Sequence, residues 1–219
     1  MLNNKKLKNL LIIIPAFNEE KTIKKIIKAG KVFGKVLVVD DASTDKTKNI
    51  SKANGAHVIQ HKINLGYNYA IETGLKYSVR KNFRKVIIID GDGQHPTKYI
   101  KKFSKSLNKK TKVVCGIRSN VNRVGEIIFI FFSKIFWNIQ DPLCGMKGYT
   151  LNFLKENYKF STFDSISTEL LIRAKKKNIT VKEIKIRNLR RKDKSRFGRG
   201  VKINFFILTT LLKCLIFIR

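Results

Sequence analysis

Residues 85–96 read KVIIIDGDGQHP, an apolar run that ends in two carboxylates, Asp90 and Asp92, separated by one glycine. Gly91 and Gly93 let the backbone bend sharply there, and Gln94 and His95 follow directly. Two carboxylates at this spacing make a hard-oxygen site of the kind that takes Mg2+ or Mn2+, leaving the other positions to water and substrate phosphates. Asp and Gly also build ordinary turns, so the pair alone carries two readings. A second apolar run, KVLVVD, ends in Asp40 and Asp41. Carboxylates in that place can accept hydrogen bonds from the ribose or base of a nucleoside. They can equally serve the start of a following helix, with Ser43 or Thr44 as its cap. The stretch IPAFNEE, residues 14–20, adds a turn fixed by Pro15 and then two acids in what reads as a first helical turn.

Acids are scarce in this chain, which makes their grouping informative. The 219 residues hold 47 Lys+Arg against 15 Asp+Glu, a formal charge of +32. Such a balance fits an anionic partner, whether nucleic acid, an anionic membrane or a phosphorylated substrate. A general Lys-rich composition, with lysines simply solvated on helix faces, supplies part of the same charge. Hydrophobic content of 43% argues against disorder. Cys115, Cys144 and Cys214 are odd in number and far apart, which fits neither a disulfide framework nor a zinc site and suits a reducing cytoplasm. MLNNKKLKN leads straight into a strand, so no signal peptide is expected. GxGxxG is absent, and GKVFGKV lacks P-loop spacing, which excludes the usual dehydrogenase and P-loop nucleotide sites.

The elements that must position these residues alternate. LLIII (10–14), KVLVVD (35–40), AHVIQ (56–60), KVIIID (85–90) and KVVCG (112–116) read as buried strands. Between them, EEKTIKKIIKAGKV and GYNYAIETGLKYSV carry apolar residues at helical spacing. This alternation predicts an α/β fold with a mostly parallel sheet and helices on both faces. Ligands of such sheets sit beyond the carboxyl ends of the strands, where this chain places its acids. Farther on come an apolar helix (125–139), a turn-rich DPLCGMKGY, a polar helix near 166–177 and an alternating strand (179–186). The basic loop RNLRRKDKSRFGRG then leads to an apolar end, INFFILTTLLKCLIFIR. The reading is one domain over 1–200 followed by a C-terminal helix over 201–219.

Taken in order, IIIPAFNEEKTI, VVDDASTDKT, NLGYNYAIETG, IIIDGDGQHP, CGIRS, DPLCGMKGY and TELLIRAKKKNITVKEIKIRNLRR resemble the family 2 glycosyltransferases of the GT-A fold. The resemblance spans about residues 10–196 and is to the dolichyl- and polyprenyl-phosphate sugar transferases, of the dolichol-phosphate mannosyltransferase type. It implies a metal-dependent, inverting hexosyltransferase that uses a GDP- or UDP-hexose donor. By that likeness Pro15, Phe17, Glu19, Asp40 and Asp41 hold the nucleoside. Asp90, Asp92 and Gln94 hold Mg2+ or Mn2+ at the donor diphosphate. Arg118, Arg190, Ser195 and Arg196 face the acceptor phosphate, with Asp92, Arg118 and Arg190 closest to the chemistry, and Asp141 and Glu169 match positions near the acceptor side. The chain departs from the family pattern where Asp193 replaces a glycine and Arg196 a lysine, and where NLGYN lacks a second glycine and a lysine.

A polyprenyl phosphate acceptor is largely ionised at neutral pH and needs little help from a base, so no catalytic base is assigned. It does require contact with the bilayer. IIFIFFSKIFW (127–137) is too short to cross a membrane; it reads as an interfacial helix with Trp137 at the headgroups, or as a buried core helix. Residues 203–219 carry Lys213 near the middle of an apolar stretch, and a central lysine costs about 2.5–3.5 kcal/mol on insertion. A monotopic or dimer-buried helix is therefore expected, at the cytoplasmic face of an anionic membrane. The alternatives are a family 2 enzyme with a non-lipid glycan acceptor, an inactive scaffold, and a nucleic-acid-binding protein. The last is disfavoured because the aromatics cluster in apolar runs and strand-end acids repel phosphate in the absence of a metal. Oligomeric state is open.

Overall fold

The apolar runs pair into one seven-stranded sheet in a computed structural model that describes residues 9–121, 123–157, 165–189 and 201–218. The strands are β1 (Leu10–Ala16), β2 (Lys35–Asp40), β3 (His57–Gln60), β4 (Lys85–Ile88), β5 (Val113–Arg118), β6 (Lys147–Thr150) and β7 (Val181–Ile186). Their order across the sheet is β3-β2-β1-β4-β6-β5-β7. All seven residues of β1 are buried, as expected for a central parallel strand covered on both faces. Complete burial of Ile12, Ile13 and Ile14 contributes about 1.5–3 kcal/mol per side chain relative to exposure.

Strand direction is what assembles the site. β1 pairs parallel with β2 and β4, and Ala16 lies level with Asp40. β6 runs antiparallel to both β4 and β5, so β5 points the same way as β4. β7 is parallel to β5. The carboxyl ends of β1, β2, β4, β5 and β7 therefore reach one edge. The chain segment that enters β6 starts from that edge too.

β6 corrects the sequence reading, which took DPLCGMKGY as turn. Its four residues KGYT contain a lysine and a glycine, and no alternation marks them. Lys147 is fully buried, and its Nζ donates to Cys144 O at 2.6 Å and Ser167 Oγ at 3.3 Å. Pairing on both sides, not side-chain pattern, makes this segment a strand. β4 also ends earlier than read, at Ile88, with the Ile89 N–H still bonded to Ile13 O at 3.0 Å.

The helices are α1 (Ile23–Lys31), α2 (Thr47–Ala53), α3 (Tyr67–Arg80), α4 (Tyr99–Ser106), α5 (Val124–Trp137), α6 (Leu151–Glu156), α7 (Ile166–Lys176) and α8 (Val201–Phe217). α2 starts at Thr47 and not at Ser43 or Thr44; the Asp45 carboxylate accepts the Thr47 N–H at 2.9 Å. α7, read as polar, is buried along most of its length. α8 is docked on the domain through Ile207, Leu211, Cys214 and Ile218, all buried. It meets α5 closely where the Gly125 N–H donates to Asn204 Oδ1 at 3.0 Å.

α5 buries Phe129 and Trp137 and leaves Val124, Ile127, Phe131, Ile135 and Phe136 exposed. Trp137, read as a headgroup anchor, thus lies in the core, because α5 turns that face inward. α8 adds exposed Phe205, Phe206, Leu212, Ile216 and Phe217. Phe131 is 60% and Phe205 68% exposed, large for phenylalanines on helices that have a buried face available. Among the described residues no helix is long and apolar enough to cross a membrane.

The two faces of α5 predict opposite mutational outcomes. Phe129→Ala is expected to cost about 3–5 kcal/mol, as for a fully buried aromatic. Phe131→Ser should change stability by no more than about 0.5 kcal/mol. Urea unfolding of the two variants checks this, and equal losses would mean that α5 is packed differently.

Candidate active site

A cavity of about 600 Å³ opens at the shared strand edge, within the range usual for small-molecule sites. Pro15, Phe17, Glu19, Asp41, Asp90, Asp92, Gln94 and Arg118 all line it. Sequence reading thus named residues that the fold does bring together. Asp40 lies just behind, fully buried at the end of β2. Arg190, Ser195 and Arg196 fall outside the described residues.

Each acid is held by specific donors. Asp41 Oδ1 accepts from the Leu65 N–H at 2.9 Å and lies 2.7 Å from His61 Nδ1, while Oδ2 accepts from the Gly66 N–H at 2.7 Å. Asp41 therefore organises the turn into α3 rather than the start of α2. Asp40 Oδ1 accepts from the Ser43 N–H at 3.2 Å, and its Oδ2 has no hydrogen-bond partner among the described residues. An orphaned buried acceptor of this sort calls for a donor from outside the chain. Asn18, which the sequence did not single out, fastens the β1 end to the β2 end: its N–H donates to Ser43 Oγ at 2.9 Å and its Oδ1 accepts from the Thr44 N–H at 2.8 Å.

The DGDG turn is braced as well. Gly93 has φ +77°, a left-handed conformation that glycine adopts at little cost, and the Gln94 N–H donates to Asp92 Oδ1 at 2.9 Å. The Thr22 hydroxyl donates to Gly91 O at 2.6 Å, tying the turn to the head of α1. Tyr67, the first residue of α3, donates its hydroxyl to Asp90 Oδ1 at 2.6 Å. Burial, and then the Asp90 charge, raise the Tyr67 hydroxyl well above its ordinary range, so it stays protonated as a donor. His95 Nδ1 lies 3.4 Å from Asp90 Oδ2, an electrostatic contact rather than a made hydrogen bond. Burial alone would lower the imidazole; Asp90, with smaller help from Cys144 and Asp92, outweighs it and raises His95 to about 9. Gly145 sits so close that a Cβ there would overlap the Asp90 carboxylate.

Among the described residues no group of three or more His, Cys, Asp and Glu is placed to hold a metal. The donors here are two carboxylates and the Gln94 carboxamide at a cavity wall. That set fits Mg2+ or Mn2+, which are held by one or two carboxylates and completed by water and substrate phosphates.

On the far side of the cavity stands a cluster of four charges. Arg118 Nε and Nη2 donate to Asp141 at 2.8 and 2.9 Å, and its backbone N–H donates to the same carboxylate at 3.0 Å. Arg118 Nη1 donates to Glu126 at 3.3 Å, and Arg123 Nη1 donates to Glu126 at 3.1 Å. Burial opposes the guanidinium charge, but the Asp141 hydrogen bonds and the charges of Asp141 and Glu126 hold Arg118 firmly cationic. Asp141 does more than shape the Pro142 turn: its carboxylate orients Arg118 from two directions. Two of the five N–H donors of a guanidinium are left over from these bonds and remain available to a ligand. Glu169 is buried in α7 and does not line the cavity. Glu126 and Arg123 were not read from the sequence, although an acid in the first turn of a helix is a recognisable signal. All three cysteines are buried, and burial pushes Cys214 up to about 12 and Cys115 well above its ordinary range, against thiolate chemistry at those two.

The cavity also has apolar lining, from Leu143 and from Ile203, Phe206 and Ile207 of α8. Phe206 is in addition among the exposed aromatics of α8.

Residues 11–145 match Glycosyl transferase family 2. The UDP-N-acetylglucosamine–dolichyl-phosphate N-acetylglucosaminyltransferase of Methanococcus voltae is 28% identical over 94% of this chain and 95% of its own. The dolichyl-phosphate hexose transferase of Haloferax volcanii is 26% identical, covering 81% of this chain and 82% of its own. In structure, the chain is similar to glucosyl-3-phosphoglycerate synthase from Mycobacterium tuberculosis, solved with Mn2+, UDP and glucosyl-3-phosphoglycerate. The TM-score is 0.76 at 18% identity, over 94% of this chain and 79% of that one, a likeness of fold.

Glu126 competes with any anion for Arg118 and Arg123. Glu126→Gln is therefore expected to tighten binding of inorganic phosphate roughly fivefold, on the scale of about 1 kcal/mol for one ion pair. Titration calorimetry of the two proteins checks it, and unchanged affinity would mean that phosphate does not reach these arginines.

Proposed function

We propose a reaction for this chain, which belongs to glycosyl transferase family 2: it moves a hexose or N-acetylhexosamine from a UDP-sugar to a polyprenyl phosphate at a membrane surface. One observation carries the choice of acceptor. One cavity is lined by Asp90 and Asp92, by Arg118 and Arg123, and by the apolar Ile203, Phe206 and Ile207 of α8. An acceptor with an anionic head and an apolar tail matches that set of surfaces. The dolichyl-phosphate relatives named above support the same acceptor class, and the relative from Methanococcus voltae supports a UDP-linked donor.

The chemistry follows from charge. A phosphate oxygen of the acceptor bonds to the anomeric carbon as the bond from that carbon to the UDP oxygen breaks. The electron pair leaves on the diphosphate, and in-line attack inverts the carbon. A divalent ion, when bound, shares the charge that develops on the departing diphosphate. Asp90, Asp92 and Gln94 would hold it. The orphaned Asp40 Oδ2 would accept a donor from the nucleoside, and Arg118 would give its two remaining N–H donors to the acceptor phosphate, aimed by Asp141. Because the acceptor phosphate is already ionised at neutral pH, no side chain need remove a proton from it.

The exposed α5–α8 face would lie against the bilayer. Apolar side chains on paired surface helices bind the interface, and a chain of +32 is drawn to an anionic leaflet. In that orientation the cavity would open toward the lipid phosphates.

The test is nucleoside diphosphate release with Mn2+ or Mg2+, UDP-glucose, UDP-N-acetylglucosamine and GDP-mannose in parallel, and polyprenyl phosphate either in anionic vesicles or as a short soluble analogue. Lipid-dependent UDP release is expected, lost with chelator and at least about a hundredfold slower in Asp92→Ala. The Phe131→Ser, Phe205→Ser double variant should lose rate on vesicles and keep it on the soluble acceptor. Release independent of any lipid phosphate would overturn the acceptor assignment.

A further inference from the structure

Tyr67 joins the two acidic strand ends into one unit. Asp41 hangs from the β1 end through its own N–H, which donates to Ala16 O at 2.9 Å. Its carboxylate fixes the N–H groups of Leu65 and Gly66, the two residues before Tyr67. His61, braced by Thr73 at 3.0 Å, secures the same carboxylate. Tyr67 is therefore set at the head of α3 by Asp41, and from there its hydroxyl reaches across to Asp90 at 2.6 Å. On the other flank Asp90 meets His95 at 3.4 Å and the bare backbone of Gly145. The carboxylate cannot rotate without giving up the Tyr67 bond or striking Gly145.

We propose that the Tyr67 hydroxyl is a positioning group for the donor-side cation: it takes one lone pair of Asp90 Oδ1 and so fixes the carboxylate with its remaining lone pairs turned, beside Asp92, to the cavity. This rests on the reading of Asp90 and Asp92 as the cation site. A phenol suits the task for an electrostatic reason. In a chain so rich in lysine, an ammonium at this position would orient Asp90 but cancel the charge that attracts a cation. A neutral donor orients the carboxylate without adding to the positive charge that His95 already brings beside it. Outer partners that orient a ligating carboxylate in this way typically account for a 10- to 100-fold change in metal affinity.

The test measures Mn2+ binding without turnover, by the loss of the free-ion paramagnetic resonance signal in the presence of UDP. Tyr67→Phe removes only the hydroxyl. It is expected to bind Mn2+ at least about tenfold more weakly than the unaltered protein, with metal-free UDP affinity unchanged and the fold retained by circular dichroism. Gly145→Ala, which crowds Asp90 from the opposite flank, should weaken Mn2+ binding in the same direction. Equal Mn2+ affinity in Tyr67→Phe and the unaltered protein would overturn the role of Tyr67 while leaving the cation site standing. If the unaltered protein shows no saturable Mn2+ binding that Asp92→Ala removes, both the cation site and this role fall.

Discussion

The molecule depends on the direction in which its strands run. β6 is antiparallel to both neighbours, so β4 and β5 point the same way. The same reversal starts β6 at the edge where the others finish. Asp40, Asp90, Arg118 and the loop from Asp141 to Gly145 meet there although they are far apart in the chain. A β6 parallel to its neighbours would carry Asp141 to the opposite edge and leave Arg118 without its partner. The cost is a fully buried Lys147, whose hydrogen bonds to Cys144 O and Ser167 Oγ offset part of its desolvation.

Charge is then arranged on that edge in two different ways. At the acid pair, backbone N–H groups and His61 hold Asp41, and the Tyr67 phenol holds Asp90, with the His95 imidazolium 3.4 Å away on its other flank. At the acceptor end, Asp141 and Glu126 hold Arg118 and Arg123. Those arginines are fixed in place but already balanced, so an incoming phosphate must compete with Glu126. On the proposed reading the acid pair would serve the donor and the two arginines the acceptor phosphate, in a cavity that apolar side chains of α8 also line.

Much of this was legible in the sequence, and the reasons differ by residue. Asp40, Asp41, Asp90 and Asp92 stood out because acids are rare here and these close apolar strands, where a parallel sheet places its ligands. The helices over 23–31 and 67–80 followed from their spacing. β6 was not legible because pairing on both sides overrides the weak strand character of KGYT. The inward turn of Trp137 was hidden because apolar residues lie on several faces of α5 and composition does not say which side is buried. Tyr67 on Asp90 and Glu126 on Arg118 depend on contacts between segments, and no local pattern announces them. Asp41 was read as a ligand to a nucleoside or a helix cap; its carboxylate is engaged by the turn into α3 and not by the start of α2, while the residue still lines the cavity.

The central claim is that Asp90 and Asp92 hold a divalent cation at the diphosphate of a UDP-sugar. Crystals grown with Mn2+ and UDP, with diffraction recorded at a wavelength where manganese scatters anomalously, test it most directly. The account predicts one strong anomalous peak between the Asp90–Asp92 pair and the UDP diphosphate. UDP bound in the cavity with manganese absent from that pair, or seated elsewhere on the protein, would contradict it.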